Sequence, residues 1–458
     1  MRFPDFLMRL LPACAGLLVS LPAAAQSWVQ SSLNVPRLNQ SAALLPGGDV
    51  LLVGGDFDYG TGKAVERYSA ATGTWSIVGD TLQDHVSSTH AFSLPGGQVL
   101  VGSMEAPFEI YDPVSETSIS LSPAGQFFSD TATTRLSDGD LLFVGGGMST
   151  FDWGDTQRFD VATNTLQVVA FLSTPRRSHT ATLLVDGRVL VVGGLHSLSE
   201  VGPTEVLASV EIYDPVADTW SAGAPLPGAR VNHRASRLPD GRVLVTGGQD
   251  ATLALLDSTV LYDPATDTWS AGPTLPSARA YHEVVSLPSG RVVLVGGDGA
   301  LTSALAYDPA THAFVALPSL SGERIFHDVT YIPGEGVLVT GGDSEIAELY
   351  PLGATGEGEA CVITDECASG TCEEGLCTDD SGPVGAGGAG PGATSTSVST
   401  GVGAGGAGGG GPGGPGGGCS LDFLDFSGSP GGAAMLLMAP GLFAFRRRRS
   451  VSGGRAKR

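Results

Sequence analysis

Cysteine is missing from most of this chain: of six in 458 residues, none lies between residues 26 and 360. Charge is also scarce, at 16% of residues, and one-sided, with 24 basic groups against 47 acidic ones and a formal −23. So acidic a chain repels phosphates, which excludes nucleic acid as a partner class. Long apolar runs are few. The stretch from Gly431 to Phe445 has 15 residues, short of the about 20 that a stable membrane span needs. No long amphipathic helix fits residues 27–350, and neither a Gly-x-Ser-x-Gly elbow nor a Walker-type phosphate loop occurs. What is abundant is glycine and proline, 67 and 29 residues, together about a fifth of the chain. The apolar share of 42% supplies a large core and excludes wholesale disorder.

The charge is unevenly placed. Between residues 26 and 445 there are 15 basic residues against 46 acidic ones, so an acidic body sits between basic ends. Residues 1–25 read as a secretory signal: Arg2 and Arg9, the apolar run Leu10 to Leu21, then Ala23-Ala24-Ala25, with cleavage after Ala25. Cys14, in Leu11-Pro12-Ala13-Cys14, leaves a lipoprotein signal as the alternative, although few apolar residues precede it. At the other end, residues 381–418 form a disordered Gly-rich linker, with 19 Gly in the 37 residues from Gly382 to Gly418. Residues 419–458 follow as an anchor or sorting signal: Cys419, the apolar Gly431–Phe445, then Arg446-Arg447-Arg448-Arg449. This tripartite tail resembles the C-terminal sorting signal of myxobacterial surface proteins. That resemblance implies processing at Cys419 and retention at the cell surface or outer membrane. A simple span with its arginines on the cytoplasmic side is the alternative. In both cases the body is exported, and membrane contact is through the tail only.

Residues 356–380 contain Cys361, Cys367, Cys372 and Cys377 in CVITDECASGTCEEGLC. In an exported chain four close cysteines read as two disulfides with three possible pairings. A zinc site is the rival, but no Cys-x-x-Cys pair is present.

Residues 26–355 are a repeat. An apolar run ending in Gly-Gly recurs at Gly54-Gly55, Gly145-Gly146, Gly193-Gly194, Gly247-Gly248, Gly296-Gly297 and Gly341-Gly342, with a degenerate copy at Val99 to Met104. Five units also pair a Tyr or Phe with an aromatic or apolar residue seven positions on: Tyr68/Trp75, Phe159/Leu166, Tyr213/Trp220, Tyr262/Trp269 and Tyr307/Phe314. Period-2 apolar runs and Pro-Gly-Gly or Pro-Asp-Gly turns mark short strands, and the spacing suits four-stranded blades. These features resemble the kelch repeat family in seven copies. The resemblance implies an all-β fold, a seven-bladed kelch β-propeller with Gly-Gly ending the second strand, Tyr on the third and Trp on the outer fourth. The last unit stops at Tyr350 without its Trp, while Trp28 stands nine residues before Arg37. An N-terminal fourth strand is therefore expected to close the ring, with Trp28 packed behind Tyr350 and no sheet edge left open.

The lead-in to the first strand carries Arg-x-x-His in four blades: Arg176/His179, Arg230/His233, Arg279/His282 and Arg324/His327. Blade 1 has Arg37/Gln40, and blades 2 and 3 align as Val86/Thr89 and Phe128/Thr131. One reading is a half-ring of cationic and hydrogen-bonding groups at a channel mouth. The other is structural, since a feature repeated in each blade usually serves the blade. The loops after Gly-Gly share that face and vary, which is where specificity normally lives. Trp153, flanked by Asp152 and Asp155, is a candidate stacking platform or an ordinary packed loop residue. Asp56-x-Asp58 lacks the terminal bidentate Glu of a calcium loop. No cofactor is called for. Some kelch propellers are radical copper oxidases of the galactose oxidase kind. Their chemistry, as the resemblance implies, needs a Tyr cross-linked to a Cys, and no propeller Cys exists here. The expected function is an exported binding module for glycans or proteins. The alternative is a carbohydrate-active enzyme, oxidase-like or epimerase- or mutarotase-like, using Arg and His.

Overall fold

A computed structural model of the chain describes residues 27–353 except 56–61, 87–88, 105, 122–128, 149–150, 198–203, 300–301 and 343, together with the backbone of 372–373 and 376–377. The expected signal, linker and tail, including Ala25 and Cys419, lie outside the described residues, as do Asp56, Asp58, Phe128, Cys361 and Cys367. In the Cys-rich segment the backbone places Cys372 opposite Cys377 in a short antiparallel pairing.

The repeat folds into seven four-stranded antiparallel sheets, six of them simple meanders and the seventh completed by the N-terminal strand. Blade 1 runs through Ser41–Leu44, Val50–Val53, Ala64–Ser69 and Thr74–Asp80. The second strands explain the apolar runs. Val50–Val53, Leu141–Val144, Val189–Val192, Val243–Thr246 and Val292–Val295 are buried along their whole length. Each is covered on both faces by a neighbouring blade, so the hydrophobic-polar alternation of a half-exposed strand disappears. The fourth strands are outermost and recover it, as in Thr219–Gly223 with its exposed and half-buried residues.

The core is divided among the blade interfaces. Residues of blades 4 and 5, such as Leu190, Val192, Val243 and Val245, form one apolar cluster; blades 5 and 6 form another through Leu244, Leu261, Val292 and Leu294. Alternate residues of one strand thus serve opposite neighbours. Burying each such side chain is worth about 1.5–3 kcal/mol, so a blade is stabilised mainly by the blades beside it.

Blade 7 consists of His327–Ile332, Gly336–Gly341, Ser344–Pro351 and, as its fourth strand, Val29–Arg37. Val29 pairs with Leu349, and the Trp28 and Tyr350 rings lie 5.1 Å apart. The Trp28 indole N–H also donates to Pro318 O of blade 6 at 2.8 Å. Ring closure by the N-terminal strand is therefore as the sequence implies. Blade 2 keeps the third-strand tyrosine as Tyr111 but sets Ser118 opposite it, where blades 1, 4 and 5 have Trp, blade 3 Leu166 and blade 6 Phe314.

First strands lie innermost, those of blades 3 to 7 and 1 adjoining in turn. Two blades extend beyond the meander: Gly147–Met148 pairs with Phe151–Asp152, and Leu195–Ser197 with Thr204–Val206. Both ribbons follow a Gly-Gly pair, on the face that the repeat pattern marks as variable.

Candidate functional site

The repeated arginines are joints. Five of them donate to one equivalent atom, the carbonyl of the first glycine of their own blade. The distances are 2.7 Å for Arg37 to Gly54, 3.0 Å for Arg176 to Gly193, 3.1 Å for Arg230 to Gly247, 3.2 Å for Arg279 to Gly296 and 2.8 Å for Arg324 to Gly341. The backbone carbonyls of Arg176, Arg230, Arg279 and Arg324 accept the N–H of the second glycine of the preceding blade, at 2.8 to 3.0 Å. One residue thus ties two blades.

Three of these arginines meet a carboxylate placed two residues before the third-strand tyrosine: Arg37 with Glu66 at 3.2 Å, Arg176 with Glu211 at 2.8 Å and Arg324 with Glu348 at 2.7 Å. Blades 5 and 6 have Val260 and Leu305 at that position. There Arg230 and Arg279 turn to the Ser258 and Ser303 hydroxyls, at 3.4 and 2.7 Å. Burial then lowers both guanidiniums to about 10.

The histidines explain the glycine pair. A Cβ on Gly247 would stand 2.4 Å from Arg279 O and 3.1 Å from His282 Cε1, and one on Gly248 2.9 Å from His233 Cβ. With φ of +56° and +97° as well, both positions demand glycine. His233 and His282 place Nε2 at 3.1 and 2.8 Å from the Thr180 and Thr246 hydroxyls. Burial holds His179, His233 and His282 well below the usual imidazole range and His327 at about 3, helped by the arginine three residues before each.

The side chains of Arg176, His179, Arg230, His233, Arg279, His282, Arg324 and His327 are thus committed to the scaffold, with residue exposures between 0% and 3%. Sequence pattern left two roles for them, a half-ring of cationic and hydrogen-bonding groups at a channel mouth or a structural one, and here they lie buried in the joints between blades. The histidines are neutral and enclosed, and the arginines are spent on carbonyls, carboxylates and hydroxyls.

Blade 2 departs from the aligned spacing. The residue in the arginine's place is His85, one position earlier than Val86: its carbonyl accepts the Gly55 N–H at 2.8 Å. Its imidazole lies 3.0 Å from Ser103 Oγ and 3.3 Å from Glu109 Oε1. Thr89 keeps the histidine's position, within 2.4 Å of where a Cβ on Gly54 would stand. In blade 3 the equivalent Thr131 hydroxyl donates to Gly145 O at 3.1 Å.

What the face presents is the residue just before the histidine. Asn39, Asp130, Ser178, Asn232, Tyr281 and Phe326 occupy this position in six blades, and all six have φ between 52° and 57°. Their backbones link blade to blade: Asn39 N–H donates to Phe326 O, Ser178 to Asp130 O, Asn232 to Ser178 O and Tyr281 to Asn232 O, at 3.1 to 3.3 Å. These bonds join the position from blade 3 through blade 6 and from blade 7 to blade 1 at one mouth, where Ser178, Asn232, Tyr281 and Phe326 are half-buried and Asn39 and Asp130 buried. Sequence reading passed over this ring, although Asn in two copies, a residue that tolerates left-handed backbone, was a usable signal.

Just inside, Arg234 of blade 5 is paired with Glu283 of blade 6, with Nε to Oε2 at 3.0 Å. Asp328 accepts the Ala42 and Val329 N–H groups, each at 2.7 Å. Asp130 is buried, and desolvation raises its carboxyl to about 6 despite Ser178, Arg177 and Arg234 nearby. On the blade 3 ribbon Arg177 pairs with Asp152 and reaches Ser197 Oγ at 3.0 Å. Trp153 beside it is half-buried, its backbone N–H donating to Gly146 O at 2.8 Å. Among the described residues no group of three or more His, Cys, Asp and Glu is arranged to hold a metal ion.

The Kelch motif family matches residues 176–227 and 232–276, which carry most of blades 4 and 5. Kelch-like protein 25 of Xenopus tropicalis is 27% identical over 171 residues, covering 36% of this chain and 27% of that protein. Kelch-like protein 35 of Homo sapiens is 34% identical over 156 residues, covering 33% and 24%. Galactose oxidase of Gibberella zeae is 33% identical over 258 residues, covering 49% and 38%. The chain spans well under half the length of these relatives. This chain thus carries Kelch motifs on a seven-bladed propeller.

Proposed function

We propose that this kelch propeller is an exported binding module that engages a glycan or a protein through the face carrying the left-handed ring and the loops after Gly-Gly. One observation carries the reading: the residue types that repeat are buried as joints, while the position between them changes from blade to blade on a fixed backbone. Rigid scaffold with variable display is how repeat proteins build binding surfaces. The candidate contact residues are then Trp153 and the mouth residues, with Arg176, Arg230, Arg279 and Arg324 and their histidines acting indirectly by holding the ring in place. Export, a disulfide stub at 356–380, a Gly-rich spacer and attachment through Cys419 belong to the same proposal and rest on sequence pattern.

The test is a glycan array and an affinity capture with purified full chain, repeated with Trp153→Ala. A defined partner whose binding falls in that variant supports the reading; no partner in either assay sinks it. Mass spectrometry of the mature ends tests the anchor, and an intact tail through Arg458 on surface protein counts against processing at Cys419.

The similarity to a galactose oxidase sustains a second reading, an enzyme acting on carbohydrate. Peroxide release from galactose, or mutarotation followed by polarimetry, separates it from pure binding. The propeller's lack of cysteine sets it apart from the cross-linked radical chemistry that the resemblance implies.

A further inference from the structure

The four contiguous mouth positions of blades 5, 6, 7 and 1 are Asn232, Tyr281, Phe326 and Asn39. Tyr281 and Phe326 meet edge to face, with centroids 5.5 Å apart, and both are half-buried. Their backbone φ values of 54° and 56° are uncommon and costly for bulky side chains. Asn, which neighbouring blades use, would satisfy the same backbone with less strain. Other blades accept Asn, Asp or Ser on the same backbone, so the ring pair is particular to blades 6 and 7.

The polar groups around this pair are the amides of Asn232 and Asn39 and, on the Tyr281 side, the carboxylates of Asp130 and Asp298. Asn232 offers an amide already turned toward Gln249, its Nδ2 donating at 3.0 Å. Asn39 is 8% exposed, and its Oδ1 is enclosed without a hydrogen-bond partner. Ser178 and Asp130 stand on other blades of the ring. The nearby charges are already used: Arg234 by Glu283, Arg177 by Asp152, Asp328 by two backbone N–H groups. An anionic peptide side chain would find no uncommitted counter-charge among these groups, and the carboxylates of Asp130 and Asp298, close enough to help raise the Tyr281 hydroxyl, would repel it. A neutral ring with several hydroxyls would find two aromatic faces or edges for its C–H surface and amide and hydroxyl partners for its oxygens.

We infer that the channel mouth is a sugar subsite: Tyr281 and Phe326 pack against one neutral sugar ring of a glycan, and Asn39 and Asn232 bond its hydroxyls. This rests on the face-binding reading above and narrows it to one ligand class and one place.

The experiment uses the full chain and four neutral sugars, galactose, glucose, mannose and N-acetylglucosamine, with saturation-transfer NMR and calorimetry. The variants are Tyr281→Asn and Phe326→Asn, which suit the left-handed backbone and remove only the rings, and Tyr281→Phe, which keeps a ring. Circular dichroism confirms that each is folded. Saturable binding of at least one sugar, weakened at least about tenfold by either Asn variant and retained by Tyr281→Phe, is the expected result. Absence of binding by all four sugars, or binding unchanged in both Asn variants, overturns the inference. A protein or glycan that binds through Trp153 but is insensitive to Tyr281→Asn and Phe326→Asn overturns it too, while leaving the face-binding reading standing.

Discussion

Blades 6 and 7 stand side by side and make the same joint with different charge. Arg279 and Arg324 both donate to a first-glycine carbonyl, at 3.2 and 2.8 Å, and their own carbonyls both accept a glycine N–H. Behind Arg324 lies Glu348, fully buried, at 2.7 Å. Behind Arg279 lies Leu305, and the guanidinium makes do with the Ser303 hydroxyl. The joint therefore does not require a carboxylate: oriented carbonyls suffice to hold a buried cation. Blade 2 makes the converse point, keeping the carboxylate as Glu109 and replacing the arginine by His85. There burial would raise Glu109, but His85 and the Leu82 and Gln83 N–H groups prevail and hold it below the usual carboxylate range. What repeats around the ring is a geometry, served by interchangeable chemistry.

The largest effect should come from breaking the charged version. Arg324→Ala leaves Glu348 buried without its cation, which should cost about 3–5 kcal/mol. Arg279→Ala strands only a carbonyl and a hydroxyl, for about 1–3 kcal/mol. Urea unfolding of the two variants measures the gap, and equal losses would show that the carboxylate adds nothing to the joint.

Acid should act on the other half of the motif. His327 is held at about 3 by burial, with Arg324 also lowering it, and His179, His233 and His282 are depressed likewise; outside the motif, burial holds His90, the first residue of blade 2's inner strand, at about 3 too. Between about 3 and the unfolded value of about 6.5 the unfolded chain binds more protons, so stability is full above that window and falls as pH drops through it. His327→Gln, which copies the Gln40 of blade 1, should remove up to about 3 kcal/mol of the loss between pH 7 and pH 4. Thermal melts at the two pH values check this; an unchanged acid slope would mean that His327 is not a neutral buried group.

Asp130, at the mouth rather than the joint, should behave oppositely. Its carboxyl is raised to about 6 by burial, so the folded state holds the proton more tightly and stability declines as pH rises from about 4 to 6. Asp130→Asn should therefore stabilise the protein above pH 6, by at most about 3 kcal/mol, and change nothing near pH 3. Melting temperatures across that range decide it, and a destabilised variant at pH 7 would give Asp130 a structural duty as an anion.

How much of this was legible in the sequence depends on which interaction spaces the residues. The blades, their number and the Trp28–Tyr350 closure were readable because hydrophobic period and turn chemistry are local signals. The roles of Arg and His were left as two readings, mouth or scaffold, because the burial that separates them is decided by a neighbouring blade that local pattern does not show. His85 was missed for a different reason: one extra residue before Thr89 shifts it out of register, and only the shared Gly55 bond reveals the equivalence. The glutamate two residues before tyrosine was visible in four copies, Glu66, Glu109, Glu211 and Glu348, and needed only to be matched with the arginines.

That match suggests how to convert one joint into the other, with the smallest net effect expected. Val260 precedes Tyr262 by two and faces Val245 across the ladder, as Glu211 precedes Tyr213 and faces Val191. Val260→Glu should place a carboxylate beside Arg230, whose guanidinium burial now lowers to about 10. The lost apolar burial, about 1.5–3 kcal/mol, and the desolvation of a new charge oppose an ion pair gained in a preformed geometry. A net change within about 1 kcal/mol is expected, together with a guanidinium that titrates higher. In an Arg230→Ala background the same substitution buries an orphan carboxylate and should cost several kcal/mol more than in the parent. A double-mutant cycle by urea unfolding yields the coupling between positions 230 and 260. A coupling near zero would mean that blade 5 differs from blade 4 in backbone placement, and that its missing carboxylate is a consequence of that difference.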